Sequence, residues 1–465
     1  MTFRRMMPVS LIPHALVLAL VLAPRAAAQE FSFHEPGARA ASLGGAFTAR
    51  ADDAAALFYN PAGLAFLKSL RVKTNIMFAD RTTTAAMPEG GRTYHSSPNE
   101  ILGAHAVAWQ PVRRLTLAAG LFSPLTYESL WSPGSAVGNA TALRNSLRTN
   151  DFRIALAFEV FKGFAVGGGL DFISSTVTWR HHLPFELETY PLPATAFAES
   201  RHQLSGTGRS FTAGVLWKVI PAVQVGASYR DDAAIEYAGR NSYFVNWLAL
   251  NGTVPSPYGG TYHISDLLSM FYAPQDVTGR LTLPRKLSFG LAVTPVSKLS
   301  LYLDVERTRW SDLGDWEFRS TQEGGDLNPG WTQEFRDFYG IDPDYGVQGV
   351  ALHASDTTNV KAGLEYRPAS YLAVRAGYAR LKGSIGAADL TMIYPDIDRG
   401  VFTLGFGYEG PLFSFYGSGE RVSDLSFDLF IRYATAGPEV SALPGLEMTY
   451  DSRRLVFGAG VGFIF

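Results

Sequence analysis

The chain is 465 residues long, 47% hydrophobic and 18% charged, with a formal charge of -2 at pH 7 and no cysteine. So small a net charge supplies no basic field for nucleic acid, and without thiols neither a disulfide framework nor a thiolate metal site can form. Beyond the N-terminus no segment offers the roughly twenty consecutive apolar residues of a membrane helix, so a soluble domain or a β-barrel must hold this much apolar side chain.

Arg4 and Arg5 precede an apolar run from Val9 to Ala23, and Ala26-Ala27-Ala28 follows it. Basic, apolar and small residues in that order predict a secretory signal peptide, residues 1–28, cleaved after Ala28. The run is broken by Pro13 and His14 and is too short for a permanent anchor. Losing its three arginines moves the formal charge from -2 to -5.

Residues 29–69 read as a compact plug. The stretch Ala51-Asp52-Asp53-Ala54-Ala55-Ala56-Leu57-Phe58-Tyr59-Asn60-Pro61-Ala62-Gly63-Leu64 is too rich in small residues, and too interrupted, for an ordinary core helix. Asp53 caps a short turn through Phe58. Asn60 must then leave the α region because proline follows it, and Asn-Pro starts a second turn with Asn60 as N-cap and Pro61 as first helical residue. Gly37 to Phe47 upstream is equally small and close-packing.

Gly44-Gly45-Ala46, Ala51-Asp52-Asp53-Ala54 and Phe58-Tyr59-Asn60-Pro61-Ala62-Gly63 resemble the N-terminal hatch signature of the outer-membrane hydrocarbon and long-chain fatty acid channels of the FadL/TodX (OMPP1) type. Fainter echoes follow at Arg309-Trp310-Ser311, Arg375-Ala376-Gly377-Tyr378, Pro395-Asp396-Ile397-Asp398-Arg399 and Phe465. The resemblance implies a barrel whose mature N-terminus reaches up the lumen to a tight ligand site, the position that Phe31 and Phe33 match. It also implies a gate formed by the hatch motif, Asn60, Pro61 and Ala62, and by an inward-kinked strand that opens sideways into the bilayer.

Past the plug the signal is period two. In Leu299-Ser300-Leu301-Tyr302-Leu303-Asp304-Val305-Glu306 one face is aliphatic and the other polar, and Val360 to Tyr366, Leu425 to Tyr433 and Phe152 to Glu159 repeat it. Strands are expected near 70–80, 100–110, 114–123, 151–161, 163–180, 204–218, 222–237, 280–294, 298–310, 357–367, 371–382, 401–410, 424–434 and 454–465. That is about fourteen, an even number, with short turns on one side and long loops (81–99, 124–150, 181–203, 238–279, 311–356, 383–400, 435–453) on the other. The connection from Glu409 to Asp424 breaks this sorting and reads as a strand extension or ordered turn. The expected fold is all-β: a transmembrane antiparallel barrel, residues 70–465, with the helical hatch in its lumen. Trp109, Trp217, Tyr229, Trp310, Tyr366 and Tyr433 fit interfacial girdles, and Phe465 ends the last strand on an aromatic.

No phosphate loop, H-E-x-x-H or G-x-S-x-G is present, so no cofactor or catalytic residue is assigned. His181-His182 with His202 falls in a loop, without the Cys or spaced carboxylate that would complete a metal site. His105 could face lipid or lumen, with no serine selected as its partner. Leu267, Leu268, Met270 and Phe271 lie at one-face helical spacing in a loop that should be polar, and are read as a landing groove for hydrophobic solutes or as a self-packed loop helix. Leu183, Phe185, Leu187, Tyr190 and Leu192 would form the facing wall. Arg153, Arg230, Lys361, Arg375 and Arg432 are expected to pair with Asp304, Glu306, Glu365 or Asp428 rather than with a ligand.

The reading is a monomeric bacterial outer-membrane channel for passive uptake of fatty acids or aromatic hydrocarbons, assembled by the barrel machinery and surrounded by lipopolysaccharide. A polar-solute porin or structural barrel is the alternative, and a lipid hydrolase a more distant one.

Overall fold

Alternation of side chains governs the chain after Ser69, and the computed structural model turns it into one closed wall. The structure describes residues 34–465 apart from 89–92, 132–141, 185–196, 246–251, 265, 267–273, 321–333, 335–336, 339–346, 351, 393, 412–423 and 443–446. The strands are β1 (Leu70–Ala86), β2 (Thr93–Ser96 and Asn99–Val112), β3 (Leu115–Phe122 and Thr126–Leu130), β4 (Ala142–Phe161), β5 (Phe164–Pro184) and β6 (Phe197–Ile220). Then come β7 (Val223–Arg230 and Ala233–Val245), β8 (Gln275–Leu283 and Lys286–Val296), β9 (Leu299–Thr308 and Trp316–Ser320) and β10 (Val347–Val350 and Thr357–Ala369). The last are β11 (Leu372–Leu381), β12 (Arg399–Pro411), β13 (Asp424–Ala436) and β14 (Thr449–Ile464). Each pairs with its sequence neighbour and β14 pairs with β1, from Arg71 opposite Ile464 to Ala86 opposite Thr449. Among the described residues these fourteen strands therefore close into one barrel.

In the lower half, near the short turns, apolar side chains point outward and polar ones inward. Leu301, Leu303 and Val305 of β9 are exposed, while Asp304 and Glu306 are buried. Trp109, Trp217 and Tyr366 form a lower outward ring, and Phe78, Phe152 and Tyr378 an upper one. Trp310 departs from the expected girdle: it turns inward at 3% exposure and donates its indole N–H to Thr357.

Above the upper ring the pattern inverts, and apolar residues line the lumen while polar ones face out. In β7 the odd-numbered Val225, Ala227 and Tyr229 point outward, yet the odd-numbered Ala233, Ile235 and Tyr237 are buried inside. A one-residue slip at Asp231-Asp232 swaps the faces. In β8 the slip at Pro284-Arg285 does the same, carrying Val277, Leu281 and Leu283 inside and Leu287, Phe289 and Leu291 outside.

The inversion also corrects the expected strand ends. β5 runs to Pro184 and β6 starts at Phe197, so both ends of the expected loop 181–203 are wall, and the loops at 81–99, 124–150 and 238–279 shrink likewise. At the irregular connection β12 ends at Pro411 and β13 starts at Asp424; residues 412–423, the expected place of a strand extension or ordered turn, lie outside the described residues.

The hatch, the apolar cluster and the break in the wall

From His34 to Leu67 the chain lies inside the lower barrel, buried at nearly every position. Helix α1 (Ala38–Ala41) ends in a Schellman closure: Gly45 N–H bonds Ala40 O at 2.9 Å and Gly44 N–H bonds Ala41 O at 3.1 Å. Gly44 has φ +70°, which is why glycine is needed there. In the second motif Asp53 accepts the N–H of Ala55 at 2.9 Å ahead of helix α2 (Ala56–Tyr59). Asn60 then turns extended, at φ -156° and ψ 101°, and caps a 3-10 helix, Pro61–Phe66.

Asn60 is fully buried and faces three ways. Its Oδ1 accepts Ala62 N–H at 3.1 Å, and its Nδ2 donates to Thr48 O at 2.9 Å and to Val215 O of β6 at 3.0 Å. The wall beside it is bare of side chains. A Cβ on Gly167 would stand 2.5 Å from Ala62 N, one on Gly226 2.6 Å from Thr48 O, and one on Gly214 would overlap Asn60 Oδ1. Ala104, Ala106, Ala108, Ala155 and Ala157 meet the plug's alanines on the other side. Small residues on both surfaces bring backbone against backbone.

Charges complete the attachment. Asp304 accepts Phe47 N–H at 2.9 Å and Thr48 N–H at 2.8 Å. Arg153 donates to Leu57 O at 2.9 Å and pairs with Asp171 and Asp151, which Arg230 shares. Lys361 joins Glu35 of the plug at 2.8 Å to Glu306 at 3.0 Å. Arg375 bridges Glu365 and Asp428, and Arg39 of the plug reaches Glu365. The expected pairing of lumen charges thus holds for Lys361 and Arg375, whereas Arg153 and Arg230 pair with Asp151 and Asp171 instead of the carboxylates expected, and Asp304 holds the plug backbone.

Above the plug the lumen holds a packed apolar cluster that includes Tyr127, Leu147, Ile173, Trp179, Trp316 and Tyr394. His181 and His202, expected in a loop, sit on the lumen face of β5 and β6, and their rings stack on Trp179 with centroids 4.1 and 5.2 Å away.

Beside this cluster the wall is interrupted. The β2–β3 ladder stops at Ala104 opposite Phe122, and contact resumes only at Ser96 opposite Trp131. Between them β3 bends inward at Ser123-Pro124-Leu125 and its upper piece pairs only with β4. Burial there runs unbroken from Pro124 to Ser129, the loss of alternation that an inward turn produces. Ile101, left without a neighbour on that side, is 70% exposed. His34 pins the bend from within: its N–H donates to Pro124 O at 2.8 Å, and its ring spans Thr126 O (3.1 Å) and Arg454 Nη2 (3.1 Å). Arginine can only donate, so Nδ1 accepts and Nε2–H donates to Thr126.

Residues 17–411 match the family model described as outer membrane protein transport protein (OMPP1/FadL/TodX). The chain belongs to this family. No curated protein sequence matches it. Among solved structures, a Pseudomonas aeruginosa FadL homologue superposes with TM-score 0.70 at 17% identity, covering 94% of this chain and 98% of that one. The Ralstonia pickettii toluene transporter TbuX gives 0.63 at 15% identity (94% and 99%), and the Pseudomonas putida toluene transporter TodX 0.62 at 16% (94% and 99%). At such identities the likeness is one of fold, and the family places the chain in the bacterial outer membrane.

Of the residues marked from sequence, this FadL/TodX-type barrel brings Asn60, Pro61 and Ala62 against β5, β6 and β7. Phe31, Phe33, Leu267, Leu268, Met270 and Phe271 lie outside the described residues, as do Phe185, Leu187, Tyr190 and Leu192. His34 was missed. Its only sequence signal was the place next to Phe33, and the contacts that define it come from residues 90 or more positions away.

Proposed function

We propose that this protein is an outer-membrane channel through which hydrophobic small molecules, long-chain fatty acids or aromatic hydrocarbons, pass down their gradient. Residues 1–28 are a removable signal peptide, 29–69 the hatch and 70–465 the barrel. Leu267, Leu268, Met270 and Phe271 capture the solute outside, Phe31 and Phe33 hold it at the top of the hatch, and it leaves sideways. Lipopolysaccharide is a poor solvent for such molecules, so a protein path must desolvate them and deliver them to hydrocarbon.

The observation that carries this reading is the interrupted ladder between β2 and β3 next to an apolar upper lumen, with the lumen below filled by the hatch. A polar porin would need an open polar lumen, whereas here the lumen charges are spent on the hatch. His105 of β2 bonds Thr74 Oγ1 rather than a serine, which gives the hydrolase alternative no support.

The test is uptake of a long-chain fatty acid and of an alkylbenzene into vesicles with a lipopolysaccharide outer leaflet. Asn60→Ala, which detaches the hatch from β6, is expected to slow uptake while the barrel stays folded. Unaltered flux removes the hatch from the mechanism. Mass spectrometry of molecules that co-purify with the barrel names the solute.

A further inference from the structure

Between the lower ring of Trp109, Trp217 and Tyr366 and the upper ring of Phe78, Phe152 and Tyr378, the outward side chains are aliphatic, aromatic or absent. Among the described residues two break the rule: Thr74 on β1 and His105 on β2. They are one feature, since they stand opposite each other in the ladder and His105 Nδ1 lies 3.3 Å from Thr74 Oγ1. His105 is midway between Trp109 and Ile101, two outward rungs from each, so it sits at mid-membrane depth. An imidazole there loses its hydration to hydrocarbon, and any leucine would fill the band without that cost.

Its place on the wall is as specific as its depth. The β2–β3 ladder ends at Ala104, one residue above, and the next outward position toward the break is Gly103, which has no side chain. His105 Nε2 lies 3.5 Å from where a Gly103 Cβ would stand. The nitrogen not bonded to Thr74 thus faces a notch that leads up to the interrupted wall. Leu121 of β3, opposite His105, and Ile76 of β1, opposite Gly103, give the notch apolar sides.

We propose that His105, oriented by Thr74, is a docking point in the lipid-facing wall for the head group of a long-chain carboxylic acid emerging from the break. This rests on the lateral-release reading above and adds the solute class to it. If Nδ1–H donates to Thr74, Nε2 accepts the acid's O–H. If Thr74 donates instead, Nε2–H donates to the acid's carbonyl oxygen. A carboxylic acid, with a donor and an acceptor side by side, satisfies the imidazole in either state. A hydrocarbon satisfies it in neither.

The experiment compares two eighteen-carbon probes, oleic acid and 1-octadecene, in vesicles with lipopolysaccharide outside and phospholipid inside, using the full chain. His105→Leu is expected to lower the ratio of acid flux to alkene flux about five-fold, the worth of one hydrogen bond. His105→Gln, which keeps a donor and an acceptor, restores most of that ratio. An unchanged ratio in His105→Leu overturns the proposal, as does an equal fall in both fluxes, which would make His105 a shaping residue of the wall. If the unsubstituted protein moves neither probe, lateral release itself fails and this inference with it. A heat-dependent gel shift confirms that each variant is folded.

Discussion

Asn60 ties the hatch together because its amide donates and accepts at once. Asn60→Ala removes the cap and the amide's bonds to Thr48 O and Val215 O, weakening hatch attachment by about 3 kcal/mol. Hydrogen exchange at Ala62 and its neighbours is expected to speed up accordingly, and Asn60→Asp, which keeps the acceptor, to retain the cap alone. This site was legible in the sequence, since Asn before Pro dictates its own backbone. His34→Ala, which keeps the backbone bond to Pro124 O but removes the ring between Thr126 O and Arg454, is expected to raise exchange in the upper piece of β3. Nothing local announced His34, whose role exists only once β3 and β14 close around it. Outside the wall strands, the hydrogen bond to Asp389 (2.7 Å) and then its charge hold the exposed His353 above the ordinary histidine value. The sign follows: this tie between the 352–356 and 382–398 segments is full below the unfolded value of about 6.5 and fades as pH rises through the raised one. Protection factors near His353 should fall across that window, and Asp389→Asn should flatten the profile.

At the scale of the strand, the half near the short turns announced itself and the outer half did not. Leu301, Leu303 and Val305 against Asp304 and Glu306 give an unmistakable lipid-and-lumen alternation. Beyond Asp231-Asp232 or Pro284-Arg285 the faces trade character, so a reader who follows apolar-out loses the strand where it becomes apolar-in. His181 and His202 went astray for that reason. Deleting Asp231 and Asp232 together puts Ala233 directly after the inward Arg230 and is expected to turn Ala233, Ile235 and Tyr237 outward and to abolish the heat-stable barrel band on gels. On β5, Gly167→Val pushes a side chain into Ala62 and is expected to displace the hatch motif. The readout is sodium-ion conductance in planar bilayers, raised by Gly167→Val and not by Gly386→Ala, where nothing lies within 4 Å of the added carbon.

The whole molecule is a cylinder with two interiors, one polar and filled by the hatch, one apolar and beside a break in its side. The strand count and the plug followed from composition and period. The break did not, because Ser123-Pro124-Leu125 looks like any strand end until β4 is seen to continue past it. The hatch touches the wall nearly all the way round: Ala38 N–H on Asn75 of β1, Phe47 N–H on Asp304 of β9, and Ser42 O on Thr403 of β12. Wherever glycine lines the wall there is no clearance for a segment sliding past. A finished cylinder therefore offers no route by which this core could be threaded in afterwards. The N-terminal segment must already be in position when the first and last strands meet at the seam, so it serves as the mandrel on which the tube is rolled. A barrel made without residues 29–69 should then fail to take up the same segment supplied as a separate peptide.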